Sequence, residues 1–250
     1  MKHSLFLYFL FFLLIVSFAK KKQLEKTIEF SKKEVKEVVA ENRNYEEIDS
    51  SVLNIDSIVV DNKTFKIICL DNDFWKDKEN PSCNLLIINY KNDTIFKSEE
   101  FTNCFEIKDF NEDGYKDVEI NYFTNVPGIN DMLLYDNASN NFKLIENFQD
   151  FPSSQKIKGT DFYYSYHRSG CADINWDSDL FYIKNFKCYR IGNISGRGCE
   201  DEERNGIIIN KVKNEQEIEL EYIKRKAGYY DDKWDFIENY WLKNHKKFIN

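Results

Sequence analysis

The sequence predicts an all-β fold: irregular antiparallel hairpins in a propeller-like or sandwich arrangement, forming one domain behind an export signal. Three observations carry this. From Val52 onward, short runs rich in Ile, Phe, Tyr and Val alternate with Asn, Asp and Gly, the composition of strands and turns. No stretch between Val52 and Tyr230 keeps apolar residues at the helical spacing of three and four. Four segments, NLLIINYKNDTIFKS, DMLLYDNASNNFKLIEN, DLFYIKNFKCYRIGN and IIINKVKNEQEIELEY, each read as strand, polar tip, strand. They begin at Asn84, Asp131, Asp179 and Ile207, 28 to 48 residues apart.

Taken in order, residues 1–19 (MKHSLFLYFLFFLLIVSFA) have a short basic start, an apolar run from Leu5 to Val16 and small residues Ser17 and Ala19 at the end. That is the pattern of a cleavable secretory signal peptide. A retained membrane anchor is the rival reading, since the run is near the short limit for a spanning helix. Residues 20–50 are dense in charge and without glycine; Leu24, Ile28, Val35, Val38 and Val39 make only a thin apolar face. The segment reads as a charged tether or a frayed helix. Residues 51–250 then form the β domain, which KWDFIENYWLKNHKKFIN closes with a strand or a short helix.

Loss of the leader removes Lys2 and leaves 34 basic against 43 acidic residues, a net charge of −9. An acidic surface disfavours nucleic acid and anionic lipid and suits cations and basic proteins. All six cysteines (Cys69, Cys83, Cys104, Cys171, Cys188, Cys199) follow the leader. An even count in an exported chain reads as up to three disulfides. Cys171 with Cys199 is the favoured pair, because it shortens a sizeable loop. Without C-x-x-C spacing, and with two histidines beyond the leader, a zinc site is not expected.

The chemistry-bearing stretch is DFNEDGYKDVEI, Asp109 to Ile120. Side-chain oxygens fall at alternate positions on Asp109, Asn111 and Asp113; Gly114 follows, Tyr115 can offer its carbonyl, and Asp117 closes the set. A Ca²⁺ ion takes six to eight oxygens, and a tight loop supplies them from alternate residues around a glycine turn. Ile120 stands where an EF-hand has its glutamate, and the flanks read as strands. Asp117 is therefore the expected bidentate carboxylate. The rival is a solvated turn rich in turn-forming residues.

This loop resembles the calcium loops of FG-GAP and VCBS-type β-propeller repeats. Extended through NDMLLYDNASNNFKLIEN, from about Phe101 to Phe151, it resembles small exported bacterial calcium-binding immunity proteins that neutralise lysozyme-like effectors of type IV secretion systems. The resemblance implies Asp109, Asn111, Asp113, Tyr115 and Asp117 as ligands of a structural Ca²⁺. It implies no inhibitory residue: some lysozyme inhibitors use a Ser-Gly-x-x-Tyr loop, but Ser169-Gly170 is followed here by Cys171, Ala172 and Asp173.

CADINWDSD places Asp173, Asn175, Asp177 and Asp179 at the same two-residue steps, a candidate second cation loop, with Ser178 where the glycine would be. YYSYHRSGCADINW and the tip at Arg197 gather Tyr166, His167, Arg168, Trp176 and Arg197, residue types that anchor protein interfaces. No nucleophile motif accompanies His167, so an enzyme is not expected. The expected function is an exported, periplasmic or secreted, calcium-stabilised β domain binding a protein partner. The resemblance implies a basic, lysozyme-like cell-wall hydrolase, inhibited as an immunity protein would inhibit it. The alternative is an envelope or surface module for a glycan or matrix partner, with no inhibitory role.

Overall fold

The computed structural model describes residues 52–71, 83–98 and 102–249. The leader (1–19), the charged segment (20–50) and the side chains of Cys83 and Cys104 lie outside the described residues. Fifteen strands form two antiparallel sheets, and the all-β prediction holds.

The first sheet contains β1 (Val52–Val60), β2 (Lys63–Asp71), β3 (Cys83–Ile88), β4 (Thr94–Lys97), β5 (Thr102–Lys108), β6 (Asp117–Tyr122), β7 (Asn130–Asp136) and β8 (Asn141–Leu144). Its order is β1-β2-β3-β5-β6-β7-β8, with β4 also paired to β3. The second contains β9 (Gln155–Lys156), β10 (Phe162–Tyr164), β11 (His167–Gly170), β12 (Asn175–Lys184), β13 (Lys187–Arg197), β14 (Gly206–Lys213) and β15 (Gln216–Lys224). Its order is β15-β14-β13-β12-β10-β9, with β11 on β12. Of the two arrangements left open by the sequence, this pair of extended sheets is sandwich-like.

All four strand–tip–strand segments are hairpins: β3 with β4, β7 with β8, β12 with β13 and β14 with β15. Turn chemistry sets the register of two of them. Asn185-Phe186 and Asn214-Glu215 each place both central residues at positive φ, as Asp61-Asn62 does between β1 and β2. That is the type I′ geometry, whose twist matches that of paired strands, and Asn or Asp leads each because they tolerate the left-handed region best. The turns lock Lys184 opposite Lys187 and Lys213 opposite Gln216.

Alternation then sorts side chains to faces. Phe65, Ile67, Leu85, Ile87, Val118, Ile120, Leu133 and Tyr135 make the core on one face of the first sheet, while Ile68, Leu86 and Ile88 pack on the other. β7 is buried on both faces: Met132 and Leu134 point away from Leu133 and join Phe110 of the β5–β6 loop, Phe148 of the turn after β8, and Tyr163, Phe181 and Cys188 of the second sheet. This aromatic seam, with Phe110 stacked on Tyr163 at 5.0 Å, is where the sheets meet. The C-terminal segment resolves as helix α1 (Lys233–Asn244), whose Ile237 and Trp241 pack with Phe248 on Leu180, Ile194, Ile207 and Ile209.

Trp176 on β12 is fully buried, with its ring across from Gly196 of β13. A β-carbon at Gly196 would lie 2.1 Å from the Trp176 ring, so any side chain there forces the indole aside. Gly196→Ala is expected to cost about 1–3 kcal/mol through overpacking, read as a lower urea midpoint with an unchanged m-value.

Candidate functional site

The acidic loop connects β5 to β6, with Lys108 opposite Asp117 closing it. It folds around its own oxygens. The Asp109 carboxylate accepts from the main-chain N–H groups of Asp113 (3.1 Å) and Gly114 (3.0 Å). Asn111 Oδ1 also accepts from Asp113 N–H at 3.1 Å, and Asp113 Oδ1 accepts from Tyr115 N–H at 2.9 Å. Glu112 and Gly114 turn the chain through left-handed φ values of 58° and 92°. Nothing lies within 4 Å of the position a Gly114 β-carbon would take, so the requirement there is backbone conformation rather than space.

Asp117 reaches the loop from beneath. It is fully buried, and its two oxygens accept from Phe110 N–H and Tyr135 N–H, both at 2.9 Å. Burial pushes its pKa up to about 6, against the lowering effect of those two bonds and with a further push from the Asp113 charge. Tyr115 packs its ring on Tyr135, centroids 5.2 Å apart. Among the described residues, Asp109, Asp113 and Asp117 pair with no Lys or Arg. Of the neighbouring cations, Lys156 of β9 donates to the Asn111 carbonyl and lies 3.5 Å from Glu112, Lys108 binds Glu119, and Lys116 is exposed. Asn111, Asp113 and Lys156 also form one wall of a cleft of about 680 Å³ whose other lining includes Asp161, Phe162 and Tyr182.

The loop's donors are hard oxygens in a preset turn, so they fit Ca²⁺, which demands oxygen number rather than strict geometry. Each Asp oxygen that already accepts one N–H keeps a second lone pair for an ion.

The second acidic run differs from the expectation of a loop. Asn175, Asp177 and Asp179 stand on a strand, β12, where two-residue steps put all three on one face and side-chain bonds to the protein fill them. Asn175 Oδ1 accepts from Gly198 and Cys199 N–H. Asp177 is bound by Arg197 at 2.9 Å and by Ser195; burial raises its pKa, but Arg197 and Ser195 outweigh that and hold it low. Asp179 accepts from Asn193 at 3.0 Å and lies 3.3 Å from Arg190 and 4.0 Å from His167, yet burial still holds its carboxyl above the ordinary range. Asp173 precedes the strand and takes Lys233 Nζ at 2.6 Å.

The five expected contact residues separate. Arg168 is exposed and His167 half-buried, beside each other on β11. Trp176 is corrected: it is a core residue with no surface to offer, because β12 turns its odd-numbered neighbours to the polar face and its own ring to the apolar one. Arg197 is spent on Asp177. Tyr166 bonds Asp173 and Lys233 and packs on Trp234 with its ring tilted by 50°, centroids 4.0 Å apart.

The expected bridge between Cys171 and Cys199 is present. Cys188 is a buried thiol, its pKa pushed up to about 12 by burial and by Asp150. Lys156, Lys233, Tyr229 and Trp234 were not anticipated. Of these only Tyr229 and Trp234 have a sequence signal, in the aromatic-rich C-terminal segment.

No protein-family model matches the chain, and no curated protein matches it. Among solved structures, a type IV secretion system related protein from Xanthomonas is similar at 12% identity, with a TM-score of 0.48. The similarity covers 69% of this chain and 98% of that one. No helix among the described residues is long and apolar enough to cross a membrane.

Arg197→Met leaves Asp177 buried without its guanidinium and is expected to cost about 3 kcal/mol in urea denaturation at neutral pH. The pH dependence should reverse in sign. With Arg197, the lowered Asp177 pKa makes its contribution fall away as pH drops through the acid range; without it, the raised pKa makes the variant relatively more stable as pH drops.

Proposed function

We propose that this chain is an exported, calcium-stabilised β domain that binds a basic protein partner, and that the partner is a lysozyme-like cell-wall hydrolase which it inhibits. The observation that carries the calcium reading is the acidic loop: three carboxylates and an asparagine in one turn, no basic partner for Asp109, Asp113 or Asp117 among the described residues, and a buried Asp117 whose pKa is raised to about 6. Asp109, Asn111, Asp113, Asp117 and the Tyr115 carbonyl would hold the ion. It would neutralise the loop and, through Asp117, tie Phe110 to β7.

Protein binding is supported by the acidic balance, which speeds encounter with a basic enzyme and aids specificity. The inhibitor reading rests on the resemblance of the stretch around the loop to exported immunity proteins. A non-catalytic role is favoured by His167, whose ring nitrogens lie near the Arg168 carbonyl (3.3 Å) and Asp179 (4.0 Å) rather than beside a hydroxyl or thiol.

Two measurements test this. Calcium added to the chelated protein at a hundred times its Kd should stabilise the fold by about 2.7 kcal/mol, a rise of several degrees in melting midpoint. Asp113→Ala should abolish most of that rise; an equal midpoint with and without calcium in the parent protein removes the metal. A panel of basic muramidases should include at least one whose rate falls on adding the protein in stoichiometric amount, and unchanged rates throughout would remove the inhibitor assignment.

A further inference from the structure

Helix α1 begins on a buried charge. Lys233 has no exposure, yet its ammonium is fully bound: to Asp173 Oδ2 at 2.6 Å, to the Tyr166 hydroxyl at 2.8 Å, and among the rings of Tyr229, Tyr166 and Trp234 at 4.4, 5.2 and 5.2 Å. A desolvated cation over aromatic faces fixes those rings in place. Two of them nevertheless face water, Trp234 at 52% exposure and Tyr229 at 47%.

The turn that presents Asp173 to this cage is strained. Cys171, Ala172 and Asp173 follow one another at φ 49°, 50° and 77°, three successive non-glycine residues in the left-handed region. Each costs on the order of 1 kcal/mol, and such strain persists only where the surroundings over-determine it. Here the Cys171–Cys199 bridge, the Lys233–Asp173 pair and a Gly228 N–H bond to the Gly198 carbonyl at 2.8 Å supply the constraint. They also bring three loops to one end of the second sheet: the β11–β12 turn, the β13–β14 loop and the approach to α1.

Those loops and the first turn of α1 carry exposed carboxylates on Glu200, Asp201, Glu203, Asp231 and Asp235. Against them stand Arg168, Lys226 and Arg204, the last already paired with Glu219 at 2.8 Å. Half-exposed, immobilised aromatic rings inside a charged rim are the anatomy of a protein-binding hot spot.

We propose that this disulfide-clamped end binds a basic folded protein, with Tyr229 and Trp234 as its anchors and the five carboxylates as its rim. The inference deepens the reading of the chain as a protein-binding domain and rests on that part of it alone. A second copy of the chain is disfavoured as occupant, because two acidic rims would meet.

The test maps where a cationic probe lands. A lysine-alanine decapeptide, its glutamate-alanine counterpart and a soluble N-acetylglucosamine oligomer are titrated into the isotopically labelled full chain and followed by amide and indole resonances. The lysine peptide should move the Trp234 indole signal and amides of residues 199–204 and 229–235, and the glutamate peptide should not. Trp234→Ala with Tyr229→Ala should weaken that binding about tenfold, as should Glu200→Gln with Asp201→Asn and Glu203→Gln, which leaves the cage untouched. The proposal is overturned if the lysine peptide moves nothing, or moves the 109–117 loop or the whole acidic surface instead. It is equally overturned if the sugar alone moves the Trp234 signal, or if protein concentration alone does. Inactive muramidase assays alongside a positive map would remove the hydrolase and keep the surface; inhibition that survives both variants would do the reverse.

Discussion

Asp117 is the constraint on which the first sheet depends. Its carboxylate sits buried at the base of the acidic loop and accepts from the main chain on both sides, at Phe110 and at Tyr135. Phe110 then enters the seam between the sheets, stacked on Tyr163, and Tyr135 sits in the core of the first. One buried carboxylate thus fixes the exit of β5, the start of β6 and the register of β7. Burying a charge without a counter-charge is costly, and two N–H donors offset only part of it, which is why its pKa remains raised. An ion held by Asp109 and Asp113 above it would supply what the protein does not.

The two sheets solve the same electrostatic problem differently. On β12, three polar side chains at two-residue steps lie along one face, and the chain brings its own cations to the two carboxylates: Arg197 to Asp177, Arg190 to Asp179. Asp173, just upstream, has Lys233. Around the β5–β6 loop, among the described residues, Lys156 binds the outside of the turn, Lys108 pairs with Glu119 and Lys116 is exposed, and none of the three pairs with Asp109, Asp113 or Asp117. Identical spacing therefore has opposite meanings, depending on whether the backbone curls or extends. Gly114 permits the curl; Ser178, in the matching place, donates nothing to a turn and instead accepts the Trp241 indole N–H at 2.8 Å.

That contrast explains what was legible in the sequence. Hairpins were, because strand composition and Asn-led turns are local signals: Asn185-Phe186 and Asn214-Glu215 set their own registers. The bridge between Cys171 and Cys199 was favoured on loop length and is present. Trp176 reads from its residue type and its tyrosine- and arginine-rich surroundings as an interface anchor, whereas strand alternation sends Asn175 and Asp177 one way and the indole the other. Its burial depends on Gly196, twenty residues away, and no local pattern reports such a pairing. Lys233 was invisible for the same reason: its partners Asp173 and Tyr166 are some sixty residues distant.

The distribution of rigidity follows from these contacts. The second sheet is braced by ion pairs, a disulfide and a helix, so its loop end can hold left-handed turns and half-exposed rings that an unbraced edge would relax. The first sheet is braced by Lys108 on Glu119, Lys143 on Asp136, Tyr122 and Gln149 on Asp131, and, at the acidic loop, by Asp117 on the main chain. A cation bound there would act on the seam through Phe110, and the seam is shared with β10 and β12. The acidic loop and the clamped end are thus separate regions on one continuous packing chain, and an ion bound at the first would stabilise the scaffold that carries the second.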